Sequence, residues 1–366
     1  MTRIAPSSML CRLPGLARLS RRLAALLAVA CGLALLAACG REEVHQQESF
    51  VFGTRVEVIV AGADEARARI AANAVLSEFD RLHRTYHAWQ PSELSELNAA
   101  FAAGKSQPVT PEMAGFILDA QARSAAGEGL FDPGIGQLIH LWGFQADEFV
   151  AALPDPAAIA NWRAERAGIA DVRIADGVAS SGKRGVALDF GGYLKGVALD
   201  RGAEILRSHG ISNALINIGG NVLALGDRNG RPWRVGIQHP RKPGPLATLE
   251  LGDGEAIGTS GDYQRFFELD GRRYCHLLDP RSGEPATMTQ ALTIVIPRAA
   301  DSGTVSDSSS KPLFVAGAGE WPRLAKKLAI EQVLRVDASG RVQVSAALNR
   351  RLSWVGGTPA ELEVLP

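Results

Sequence analysis

Residues 187–226, ALDFGGYLKGVALDRGAEILRSHGISNALINIGGNVLALG, decide how the rest of the chain is read. An apolar run ends at Asp189, a Gly191-Gly192 turn follows, and the spacing of apolar residues predicts a helix from about Lys195 to His209. Ala214–Ile218 reads as a strand that closes on Gly219-Gly220-Asn221. Glycine pairs at both ends of such a unit let backbone approach a bulky ligand, because no Cβ intervenes. The helix start after Gly191-Gly192 favours an anion through its free N–H groups and dipole. A plain strand-to-helix turn stays open as the other reading, since neither the G-x-G-x-x-G nor the G-x-x-x-x-G-K-[ST] spacing is met.

Outward from this unit, the C-terminal side becomes β. Asp227-Arg228-Asn229-Gly230 and Asp270-Gly271 carry hairpin signals, with strands expected at 232–237, 246–251, 255–259, 264–269, 272–278 and 291–296. A helix near 319–329 and a hairpin over 332–345 end the pattern. On the N-terminal side, Phe50–Val60 is expected as the first strand and Asp64–His83 as an amphipathic helix carrying Ile70, Ala74, Val75, Phe79 and Leu82. Thr110-Pro111-Glu112 combines an N-cap hydroxyl, a proline at the first helical position and an acid in the first turn, so a helix should run from there to about Ala126. The fold class is α+β.

With 46% hydrophobic and 21% charged residues among 366, the composition is that of a globular protein. The formal charge of zero gives no basic footprint for nucleic acid. Arginines at 12, 18, 21 and 22 precede the apolar run Leu23–Ala38, which has the form of a secretory signal. Leu36-Ala37-Ala38-Cys39 reads as a bacterial lipobox, so residues 1–38 are expected as a lipoprotein signal peptide and Cys39 as the lipidated residue. Residues 39–48 are expected as a tether and 49–366 as the folded domain. The expected location is the bacterial cell envelope, lipid-anchored and facing the periplasm. Of four cysteines, only Cys275 would remain in the domain, which leaves no internal disulfide framework.

Several loops join these elements: Tyr86 with Ser92-Glu93-Leu94-Ser95 and Asn98; Leu130-Phe131-Asp132-Pro133 through Trp142-Gly143-Phe144; Thr259-Ser260-Gly261-Asp262-Tyr263; His276 with Asp279-Pro280 and Gly283; and Asp307 with Leu313-Phe314-Val315 and Gly317. Together with Phe52-Gly53-Thr54 and the central unit, they resemble in order the bacterial FAD:protein FMN transferases, the ApbE flavin-transferase family. The resemblance implies a single T-fold-like domain with mixed and antiparallel sheets and packed helices. It implies FAD as substrate, Mg²⁺ as the metal, transfer of FMN to a Ser or Thr hydroxyl, and release of AMP. The implied acceptor is a flavoprotein subunit of a membrane redox complex. Carried over by position, Phe52, Tyr86, Leu130, Phe131 and Asp132 would line the flavin or adenine. Gly191, Val197 and Leu278 would contact FAD, largely by backbone. Asp307 and His276 would be catalytic, and Leu194 (main-chain carbonyl), Asp307, Ser310 and Lys311 would form the metal corner.

That corner departs from the family's Asp-x-x-x-Thr run, because here it reads Asp307-Ser308-Ser309-Ser310-Lys311-Pro312. A protonated lysine offers no lone pair to a metal, and Pro312 removes an N–H from the helix expected there. Three readings stay open: a neighbouring serine supplies the hydroxyl, the Lys311 ammonium replaces one magnesium charge, or the chain binds flavin without transferring it. In the last case the chain would be an FAD-binding partner or maturation factor of a membrane redox system. Phe52 and Gly134 are milder departures, at positions where methionine and threonine are common.

Overall fold

The computed structural model describes residues 44–146 and 148–366; the signal and lipobox readings, and Cys39 with them, lie outside these residues. A nine-stranded sheet runs through the domain. Its strands, numbered here in chain order, are β1 (Val44–Val51), β2 (Thr54–Ala61), β3 (Ala214–Ile218), β4 (Asn221–Leu225), β5 (Ala256–Gly261), β6 (Thr289–Ile296), β7 (Gln332–Asp337), β8 (Val342–Ser345) and β9 (Leu362–Leu365). Spatial order follows chain order. Each neighbouring pair is antiparallel except β8–β9, which is parallel. The long excursion between β2 and β3 holds most of the helices.

Alternation along the strands assigns the two faces. Val56, Val58 and Val60 of β2 and Ile216 and Ile218 of β3 point into a core shared with helices α1 (Glu65–Thr85) and α3 (Leu194–Ser208). Leu292, Ile294 and Ile296 of β6 do the same against α4 (Ser302–Ala316). The opposite face, with Ala61, Val222, Ala224, Ile257 and Val295, packs on a small sheet formed by Trp233–Gln238, Pro245–Leu251 and Ser353–Trp354. β6 is therefore buried along its whole length. Helix α2 (Pro111–Ala126) has Thr110 as its N-cap, whose hydroxyl accepts from Met113 N, as the sequence predicts.

The structure departs from the sequence expectations in four places. The expected first strand is a hairpin: Phe52 and Gly53 take φ of 57° and 67° and turn β1 back onto β2. Consequently residues 44–48 of the expected tether are strand, paired with β2. The apolar stripe of α1 is carried by Ala68, Ala71 and Ala72 beside Val75, Phe79 and Leu82, while Ile70 is exposed. Finally, α4 continues through Pro312, whose ring is buried against Gly127. A proline forfeits one helical N–H, a cost that buried packing on both sides can offset.

Candidate active site

The site grows from the close meeting of α3 and α4. A Cβ on Gly196 would lie 2.5 Å from the Gly303 carbonyl oxygen and 2.7 Å from Thr304 Cα. Only glycine allows this approach, and it brings the first turn of α3 onto Asp307. Gly196 N–H donates to Asp307 Oδ2 at 3.0 Å, and Asn221 Nδ2, at the start of β4, donates to Oδ1 at 2.8 Å. The side chain of Asp307 is 0% exposed and that of Lys311, one turn later, is 13% exposed. The Lys311 ammonium contacts Asp307 Oδ1 and donates to the Asp307 main-chain carbonyl at 2.7 Å. Burial alone would raise the Asp307 pKa, but the Lys311 and Lys195 cations outweigh it and hold the carboxyl below its usual value. Burial draws Lys311 down, opposed by the Asp307 charge.

Gly191 and Gly192 frame this corner. Neither adopts positive φ, so the turn needs them for space. A Cβ on Gly192 would lie 3.2 Å from Lys311 Cε and 3.5 Å from the Phe131 ring. Asp189 Oδ1 accepts from Gly191 N at 2.8 Å and orients the turn. The glycine pair at 219–220 is different: with φ of 58° and 94° it forms the β3–β4 hairpin.

His276 faces the same corner. Its Nδ1 lies 3.1 Å from the Arg265 carbonyl oxygen, which fixes the proton on Nδ1 and leaves the Nε2 lone pair. Burial, then the neighbouring Arg265 and Lys195 cations, push its pKa down to about 3, so the ring is neutral. Arg265 donates to the Phe144 and Ala146 carbonyls at 2.8 and 3.1 Å, and its guanidinium lies 5.9 Å from the Trp89 ring centre. From Trp89 a file of rings runs through His87 and His83 to Phe52, at centroid separations of 4.8, 4.9 and 5.6 Å. These half-buried rings meet at interplanar angles of 83°, 56° and 76°, the edge-on and tilted arrangements that aromatic pairs prefer.

Other expected contacts look inward. Tyr86 is 3% exposed, with its ring against Phe116 and Phe190 and its hydroxyl on Glu112, so it backs the site and does not present a stacking face. Leu130 lies in the core with Leu313 and Phe314. Asp132 Oδ1 accepts from Gly134 N and Ile169 N at 2.7 and 2.9 Å, a structural role. Phe131, Val197 and Leu278 are buried, which leaves their backbones for a ligand. Gly134 cannot be threonine here: its Cβ would lie 2.1 Å from Ile169 N.

The corner does not fit the metal set expected from the sequence. Magnesium takes oxygen ligands in a nearly octahedral array and keeps several waters. At Asp307, an ammonium already holds Oδ1 and the main-chain carbonyl, while two further N–H groups hold the carboxylate. The Ser310 hydroxyl is committed to Ser260 Oγ and the Asp307 carbonyl, both at 2.9 Å. Among the described residues no group of three His, Cys, Asp or Glu side chains is placed to hold a metal. Where the sequence places the metal set Leu194, Asp307, Ser310 and Lys311, the structure has a Lys311–Asp307 ion pair. Asn221, Lys195 and Arg265 were not assigned from sequence; a buried amide opening the apolar strand β4 was the available signal for Asn221.

The profile of the ApbE family matches residues 52–334. An FAD:protein FMN transferase of Rhodobacter capsulatus is 38% identical over 317 residues, 86% of this chain and 60% of that protein, so the chain spans less than two thirds of this relative's length. One of Klebsiella pneumoniae is 31% identical over 78% of this chain and 81% of its own. The ApbE protein of Thermotoga maritima superimposes with a TM-score of 0.77 at 29% identity, covering 84% of this chain and 99% of its own. The apo flavinyl transferase ApbE of Pseudomonas stutzeri gives 0.73 at 26% identity, over 87% and 99%. With the family profile spanning most of its domain and the glycine-built Asp307 corner at its centre, this chain belongs to the ApbE family.

Proposed function

We propose that this chain is an FAD:protein FMN transferase of the bacterial envelope. A hydroxyl oxygen of the acceptor attacks the FMN phosphorus, the bond from that phosphorus to the bridging diphosphate oxygen breaks, and AMP leaves with that oxygen. Such transfers depend on positioning and charge stabilisation more than on a protein nucleophile. The observation that carries this reading is the convergence of Lys195, Lys311 and His276 beside the Gly192 turn. The first two supply positive charge for the diphosphate. The His276 Nε2 lone pair accepts the hydroxyl hydrogen and aims the oxygen; the charge of bound diphosphate raises its basicity from the low value of the free site. No step is routed through magnesium. The acceptor fits a Ser- or Thr-bearing segment of a membrane redox flavoprotein, and Cys39 fits a lipid anchor that holds the enzyme beside it.

The test is direct. The domain from residue 44 onward is incubated with FAD and acceptor peptides from membrane flavoprotein subunits, and peptides are examined by mass spectrometry for an added FMN on a hydroxyl, with AMP measured in parallel. FAD that binds yet is never cleaved, under any condition, would favour the non-catalytic partner instead.

A further inference from the structure

We propose that Lys311 is a tethered cation that takes the place of a divalent metal, so that FMN transfer by this chain needs none; this rests on the transferase reading above. Three placements support it. First, the fully buried Asp307 carboxylate is covered by the ammonium of Lys311, whose side chain is only 13% exposed, so an incoming ion would have to expel the lysine before reaching this carboxylate. Second, the lysine is built in. Its stem crosses Gly192 where a Cβ would come within 3.2 Å of Cε, and its ammonium is held at two points of Asp307. An ammonium has three donors, so one remains for a substrate oxygen. Third, the charge is already sufficient. Lys195 stands beside Asp307 and His276 and makes no hydrogen bond or ion pair among the described residues, so with Lys311 it leaves an excess positive charge after Asp307 is neutralised.

A metal would duplicate this charge at the cost of burying a third cation. The carboxylate of Asp307, which the family pattern makes a ligand, here serves as the anchor that aims an ammonium. Charge-assisted donors in a desolvated site stabilise a transferring phosphoryl group in the same sense as a bound cation.

Three measurements on the unaltered domain decide the point. Manganese(II) titrated into the protein and followed by electron paramagnetic resonance should remain free, and FAD should bind equally in EDTA and in millimolar Mg²⁺. AMP release from FAD in the presence of acceptor peptide should likewise persist in EDTA. Lys311→Thr should create a stoichiometric manganese site and make both FAD binding and AMP release dependent on Mg²⁺. In EDTA, Lys311→Met should weaken FAD binding by about tenfold to a hundredfold, the scale of one lost charged hydrogen bond. A stoichiometric manganese site in the unaltered protein, abolished by Asp307→Asn, would overturn the proposal, as would activity lost in EDTA and restored by Mg²⁺. If no transfer occurs at all, the transferase reading fails by itself, while the manganese and FAD-binding results still decide the role of Lys311. Should Lys311→Met fail to fold, the measurements on the unaltered domain stand alone.

Discussion

The backbone N–H of Gly196 donates to Asp307 Oδ2 at 3.0 Å, and the same glycine has its missing Cβ only 2.8 Å from Asp307 Cβ. One residue thus sets the separation of two helices and adds one donor to the carboxylate between them. Gly196→Ala would have to force α3 away from Gly303 and Thr304, whose atoms are backbone and cannot swing aside. Overpacking of this kind costs about 1–3 kcal/mol, occasionally more. The expected result is a lower urea midpoint together with weakened FAD binding. An unchanged midpoint would show that the helices can separate freely.

The Asp307–Lys311 pair should behave as a unit. Asp307→Ala alone leaves an ammonium in a buried site, and breaking a buried pair from one side costs about 3–5 kcal/mol. Removing both partners, as Asp307→Ala with Lys311→Met, should cost less than the sum of the single substitutions. The check is a double-mutant cycle by urea unfolding. Additive effects would mean that the two side chains do not sense each other.

Tyr86 carries a different load from the one its place in the motif suggests. Its hydroxyl reaches Glu112, which is held from the other side by Arg81 at 2.9 Å through two nitrogens and by Arg201 at 2.5 Å. Tyr86→Phe should remove about 1.5–3 kcal/mol of stability, the scale of a hydrogen bond to a charged group, and leave FAD affinity nearly unchanged. Tyr86→Ala should cost about 3–5 kcal/mol through the cavity it opens between Phe116 and Phe190. Calorimetric titration of FAD into Tyr86→Phe tests this; a large loss of affinity there would return Tyr86 to the flavin site.

Local chemistry was the legible part of the sequence. Thr110-Pro111 marks a helix start whatever surrounds it, and Ala214–Ile218 is a short, mostly apolar run because one face meets helices and the other a second sheet. The β1–β2 turn was missed because Phe52 takes positive φ without being Gly or Asn, so the bend is imposed by the pairing of Val44–Val51 with Thr54–Ala61. Tyr86 and Leu130 were read as ligand contacts because a motif records position in the chain and not the direction a side chain takes. The Asp307 corner was half legible. Its carboxylate and the odd lysine stand in one helical turn, but the pairing depends on Gly192 and Gly196, which a chain order alone does not bring there.

Asp200 gives a pH dependence of definite sign. It lies on α3, and its carboxylate accepts from Gly303 N, Thr304 N and the Thr304 hydroxyl at 2.7, 2.8 and 2.6 Å, capping the start of α4 from outside. Burial raises its pKa from 3.8 to about 6 against the pull of those three donors. The folded state therefore holds the proton more tightly than the unfolded chain. The associated stability is fully present below pH 3.8 and is lost as pH rises through about 6. At 1.36 kcal/mol per pKa unit the effect is at most roughly 3 kcal/mol. Glu112 works in the opposite sense, since its pKa is lowered from 4.5 to about 2 and its contribution is lost only as pH falls below 4.5. His276, whose pKa burial lowers from 6.5 to about 3, works against Asp200 between pH 4.5 and 6, whereas the buried Asp132 and Asp189 carboxyls, also raised, act in the sense of Asp200. Asp200→Asn, which cannot ionise, should therefore tilt the dependence of the urea midpoint on pH between 4.5 and 6 upward relative to the wild type. A wild-type slope retained by Asp200→Asn would assign the titration to another group.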